Sequence, residues 1–78
     1  MSNRVDQAVA ELQAKTLEQI QRETAVTWAY RAHAAKLLQR PKDYCEFEHE
    51  ALEHAVLCGD DRVIAVVRYI VFYGHENV

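Results

Sequence analysis

Apolar residues recur at steps of three and four along the first half of the chain: Val5, Val9, Leu12, Thr16 and Ile20, then Val26 or Thr27, Tyr30, Ala34 and Leu37. That spacing gathers them on one side of a helix, in a narrow seam of the width a coiled-coil-like contact uses. From Arg4 to Arg40 there is neither glycine nor proline, and the stretch stops at Pro41. Proline lacks a backbone donor and disfavours helical geometry in the residue before it. The pattern predicts one helix over residues 4–40. Ser2 or Asn3 is placed to cap it, and Asp6 to face the positive end of its dipole. Glu11–Lys15 and Glu18–Arg22 are i,i+4 pairs in the favoured orientation, each worth a few tenths of a kcal/mol. Thr16-Leu-Glu-Gln19 has the form of a capping box, and Thr24, Val26 and Thr27 are weaker helix formers. A bend between Gln19 and Thr27 is therefore the alternative to a straight rod.

After Leu17 a second apolar strip joins the first: Leu17, Thr24, Trp28, Ala32 and Ala35, turned by about 100–120° at the helical period. The C-terminal half of the helix is expected to be covered on two sides and the N-terminal half on one. Ala25, Ala29, Ala32, Ala34 and Ala35 would let neighbouring helices approach closely.

Asp43 with Glu46 three residues on is a helix start of capping-box type, which predicts a second helix over about 43–58. Its apolar arc holds Tyr44, Phe47, Ala51, Leu52, Ala55, Val56 and Cys58, opposite Glu46, Glu50 and Glu53. Gly59 suits the left-handed position that closes a helix, and Asp60 or Asp61 can cap the next. In the third segment Val63, Ile64, Val66, Val67, Ile70 and Val71 are β-branched, a composition that favours a strand. The segment lacks period-2 alternation, though, and it sits between a capping Asp and Gly74 with no second strand to pair with. A helix over 61–73 is predicted, apolar nearly all round except at Arg68. Such a helix belongs in an interior, and one long helix with one hairpin partner cannot easily surround it.

The expected fold is all-α: a single helical domain over 1–78, one long N-terminal helix followed by an antiparallel helical hairpin, assembled into an oligomeric helical bundle. Length sharpens the last point. About 37 residues of helix run roughly 55 Å, whereas a compact chain of 78 residues has a diameter of roughly 30 Å. A lone core is also marginal at this size. A second molecule is expected over the uncovered half, Val5 to Ile20.

Charge and composition narrow the classes. The net charge of −3 disfavours nucleic acid, whose binders cluster Lys and Arg. Asp6, Gln7 and Glu11 interrupt any signal-peptide core at the start, and the apolar run Val63–Tyr73 is too short to span a bilayer. A cytoplasmic protein without a membrane partner is expected. Cys45 and Cys58, about 20 Å apart if on one helix, are too distant for a bridge and are expected as free thiols.

Three constellations could carry chemistry. Glu46-Phe-Glu-His49 has the Glu-x-x-His spacing of helical metal sites, to which Glu50 and Glu23 could add. His49 and His54, however, lie about 140° apart around the helix and cannot face one ion. A solvated acidic face is the simpler reading, with Arg31, Lys36, Arg40 and Lys42 expected to pair with Glu46, Glu48, Glu50 and Glu53. Cys45 with His49 at i+4 is a thiol beside a base, but no orienting group or anion-binding loop accompanies it. The aromatics Trp28, Tyr30, Tyr69, Phe72 and Tyr73 read as core or interface. The expectation is a non-enzymatic interaction or scaffold module without cofactor, partnered by itself as a homodimer or higher oligomer, with another protein as a further candidate partner. Its interface residues are Val5, Val9, Leu12, Ile20, Trp28, Tyr30, Ile70 and Phe72. The alternatives are a small metal-binding bundle using Glu46, His49, Glu50 and Glu23, and a regulator acting through nucleic acid or a protein that binds it.

Overall fold

The computed structural model describes residues 2–76, with three helices: α1 (Ser2–Leu37), α2 (Pro41–Leu57) and α3 (Asp61–Tyr73). The side chains of Ser2 and Asn3, expected to cap α1, lie outside the described residues. Among the described residues there is no strand, so the β-branched third segment is helical. Burial of one face of α3 outweighs the small per-residue preference of valine and isoleucine for strands.

α1 is one unbroken helix, and the longest dimension of the molecule, 58 Å, matches about 54 Å for 36 helical residues. No bend occurs between Gln19 and Thr27. α2 runs antiparallel to α1: Phe47 meets Trp28 at a ring separation of 5.3 Å, His54 meets Gln21, and Cys58 Sγ reaches the Glu18 carbonyl at 3.6 Å. α3 turns back alongside, with Val71 at His33 and Phe72 at Lys36. The hairpin thus ends near Glu18, and the part of α1 before it projects alone. The radius of gyration, 15.5 Å, exceeds the roughly 11–12 Å of a compact chain of this length for that reason.

The helix boundaries differ from expectation at the first junction. α1 ends at Leu37, not Arg40. Gln39 adopts φ 57°. Its amide bonds to the Lys36 carbonyl (3.1 Å), and that of Arg40 to Ala35 (2.9 Å). This is a Schellman closure with glutamine in the place usually held by glycine. Pro41 does more than stop α1, because it is the first residue of α2, where a missing N–H costs nothing. The N-cap is Arg40, without a side-chain cap bond, and Asp43 lies inside the first turn. The second junction follows the predicted chemistry. Gly59 has φ 71°, and the Asp60 carboxylate accepts the Arg62 amide at 2.9 Å as N-cap of α3. Gly74 closes α3 at φ 84°.

The core is small and alanine-rich. Ala25, Ala29 and Ala32 of α1 and Ala51 and Ala55 of α2 are fully buried, beside Val63, Val67, Ile70 and Val71 of α3. Methyl side chains bring α1 and α2 close, at the cost of little apolar area per residue. Ile70 and Val67 are the largest fully buried side chains. Trp28, Phe47, Tyr44 and Leu52 pack half-buried around the rim. Val56, expected in the arc of α2, is exposed, as are Phe72 and Tyr73 at the end of α3. α3 therefore lies against the body with one face free rather than in an interior.

Candidate functional site

The apolar seam of α1 is the main surface feature. Val5, Val9, Leu12, Ile20, Tyr30 and Leu37 are all exposed, Leu12 at 66 % and Leu37 at 69 %. The expectation that two sides of the C-terminal half are covered is corrected here. The hairpin covers one face, through Ala25, Trp28, Ala29, Ala32 and Ala35, and leaves the seam open along its whole length. Ala25 and Ala34 give the geometry directly. Nine residues separate them, two and a half turns, so they point in opposite directions; Ala25 is buried and Ala34 is exposed. Leu17, assigned to the covered strip, is exposed because the hairpin ends just short of it.

The predicted interface residues thus divide. Val5, Val9, Leu12, Ile20 and Tyr30 share the open seam; Phe72 is also exposed, but on α3. Ile70 is wholly buried within the chain, and Trp28 is half-buried against Phe47. The last two act as core. Around Arg4, Val5, Ala8, Val9 and Leu12 the surface is open and almost wholly apolar. Glu23 is the one carboxylate within the seam, and Gln19 donates to it at 3.3 Å. Thr16, Thr24 and Thr27 return their hydroxyls to backbone carbonyls four residues earlier, at 2.8–2.9 Å. Their polar groups are thereby satisfied within the helix, and each threonine can present its methyl.

The residues named for a metal are not brought together. His49 faces Glu53 (3.9 Å) in solvent, and His54 lies between Gln21 (2.6 Å) and Glu50 (3.8 Å). Glu46 is exposed on α2, whereas Glu23 is on the face of α1 turned from the hairpin. Among the described residues no three His, Cys, Asp or Glu side chains gather as a metal site requires. Both cysteines are free thiols. Burial pushes the Cys58 thiol above its usual value, with the nearby Glu18 carboxylate adding to the shift. That disfavours the thiolate a nucleophile needs.

The expected pairing of the α1 basic residues with the α2 glutamates does not form. Arg31 instead stacks on Trp28 (5.0 Å to the ring centre), Lys36 lies over Phe72 (4.7 Å), and Arg40 reaches Asp43 (3.9 Å). Glu48 accepts the Tyr44 hydroxyl at 2.8 Å, and this bond raises the tyrosine pKa. Arg62 holds the Asp60 carboxyl below the ordinary range through hydrogen bonds and charge. One structurally important residue escaped the sequence reading, His33. The His33 Nδ1–H donates to the Val71 carbonyl at 3.0 Å, so it satisfies an acceptor in the last turn of α3. Its position within α1 carried no signal, because the partner is 38 residues away.

Among the described residues no helix is long and apolar enough to cross a membrane. Comparison with known proteins gives no match: no family model, no curated protein and no solved structure matches the chain.

Proposed function

We propose that this protein is a non-catalytic interaction or scaffold module that associates with itself through the α1 seam. One observation carries the reading. A seam of exposed apolar residues, from Val5 to Leu37 with a charge only at Glu23, faces away from the chain's own core. Exposed apolar surface of that extent, contiguous and narrow, marks an association surface on a small chain. Energetics point the same way. The core holds only four side chains larger than alanine among its nine buried members, and a body of this size is marginal on its own. Burying the seam against a partner adds the apolar area that the core lacks, and any partner bound only by the folded form stabilises it.

The test is molar mass in solution by light scattering after size exclusion. The expected result is a species heavier than the 9.0 kDa chain at tens of micromolar. Ile20→Ser with Leu12→Ser should return it to monomer while leaving the helical content of the hairpin body intact. A clean monomer for the unaltered protein would overturn the reading.

A further inference from the structure

We infer that the occupant of the seam is a second copy lying antiparallel, in the register that sets residue n opposite residue 39 − n. This rests on the self-association proposed above and adds the orientation, the register and the contacts that select them.

The seam steps by three and four, except for two successive steps of four from Leu12 through Thr16 to Ile20. In heptad terms that is a stutter, which locally unwinds a coiled contact. Antiparallel helices match the a position of one with the d position of the other. With the twofold axis between residues 19 and 20, the layers on either side of the centre obey that rule: Val9 meets Tyr30 of the second copy, Leu12 meets Thr27, and Thr16 meets Glu23, while Ile20 lies at the axis opposite Gln19. Each large side chain faces a smaller one. The stutter falls at the centre, where both copies unwind together.

Charge selects the same arrangement. A parallel, in-register pair would set Glu23, the only charge in the seam, against the Glu23 of its copy, and like charges at close quarters are destabilising. In the antiparallel register Glu23 faces the uncharged Thr16, with Lys15 one residue from that layer. On the flank beside the a positions stand Asp6 and Arg31, both exposed. They occupy equivalent heptad positions, and the register leaves Asp6 of each copy two residues, about 3 Å along the axis, from Arg31 of the other, within reach of both side chains and twice by symmetry. Within one helix these two are 25 residues, or about 37 Å, apart and cannot meet.

The body leaves room for this partner. The hairpin lies on the far side of α1, and each projecting N-terminal half would cover the open face of the other copy's C-terminal half. The overlap is about 45 Å long and 10 Å wide, close to a total of roughly 1,000 Å² for the two surfaces, the lower bound of a specific interface. A dimer in the micromolar range is expected.

Sedimentation analysis of Asp6→Arg, Arg31→Asp and their equimolar mixture tests the register. Each variant alone sets like charges together at both contacts, and its dissociation constant should rise about tenfold or more. The mixture restores opposite charges at both, and should recover the unaltered affinity. Because Arg31 also stacks on Trp28, a second measurement avoids it. In a Cys45→Ser, Cys58→Ser background, Thr16→Cys and Glu23→Cys chains are mixed and oxidised. Predominant linkage between unlike chains is expected. If the unaltered chain dimerises but the charge mixture gives no recovery, or like chains cross-link, the antiparallel register falls while self-association stands. If the unaltered chain stays monomeric to about 100 µM, a hundredfold above a 1 µM constant, both fall.

Discussion

The imidazole of His33 occupies the space that a side chain at Gly74 would need. A Cβ built on Gly74 would fall on the His33 ring, and Gly74 already holds φ 84°. The same ring donates to the Val71 carbonyl, so one histidine of α1 closes the end of α3. The long helix and the C-terminal turn are joined at this point.

Gly74→Ala should therefore cost more than its backbone alone explains. A left-handed conformation costs an L-residue about 1–2 kcal/mol, and displacing His33 forfeits a hydrogen bond worth about 1 kcal/mol. Gly59 supplies the control. It has nearly the same φ, 71°, with nothing within 4 Å of its absent Cβ. Urea unfolding should show Gly74→Ala destabilising by about 2–3 kcal/mol and Gly59→Ala by about 1–2. Equal losses would mean that His33 does not press on the turn.

Gln39 offers the opposite experiment. It is the one non-glycine residue with positive φ among those described, and it closes α1 through the bonds from its own amide and that of Arg40. Glycine removes the Cβ penalty while keeping both bonds, at some entropic cost in the unfolded chain. Gln39→Gly should stabilise the protein by up to about 1 kcal/mol, read as a higher melting temperature. A fall in melting temperature would show that the glutamine side chain makes a contact outweighing its strain.

How far the molecule could be read from its sequence depends on range. Local chemistry carried well: Gly59, Asp60 and Gly74 end and begin helices where their types predict, and the lack of any strand partner correctly made the valine-rich segment a helix. Pro41 misled at finer grain, since a proline that stops one helix is equally suited to start the next. The seam was visible as a seam. What the sequence could not show was which of two apolar strips the hairpin would take. Both Leu12 and Trp28 are large and apolar, and only the burial of Ala25, Ala29 and Ala32 together with Ala51 and Ala55 decides in favour of the strip beside Trp28. The charge pairs were misassigned for a related reason. Arg31 and Lys36 can satisfy themselves over aromatic faces on their own body, and periodicity does not rank those faces against distant glutamates.

The alanine contact itself is testable by contrast along α1. Ala25 is fully buried, and Ala34, half a turn around, is exposed. Ala25→Leu should force α1 away from the hairpin and cost at least about 1–3 kcal/mol by overpacking. Ala34→Leu should lie within about 0.5 kcal/mol of the unaltered chain when both are monomeric. Thermal melts at low concentration measure the difference. If both substitutions were neutral, the two helices could not be packed through Ala25.

The projecting half of α1 gives the last prediction. Residues 4–17 are exposed on every side, and a segment of that length is marginal as a helix without tertiary contacts. Its continuity with the rest of α1 removes the nucleation cost but supplies no packing. In monomer its amides should therefore exchange quickly, while those near Ala25, Ala29 and Ala32 exchange through larger openings. Covering the seam changes only the first group. Hydrogen exchange read by mass spectrometry should show protection of residues 4–17 rising between about 1 and 100 µM, with the core of α1 shifting far less. Leu12→Asp, which sets a charge in the seam where nothing of its own chain touches it, should remove that concentration dependence and leave core protection unchanged. Protection of residues 4–17 that is independent of concentration in the unaltered chain would mean that no second copy covers this half, and that its helix persists on propensity and i,i+4 pairs alone.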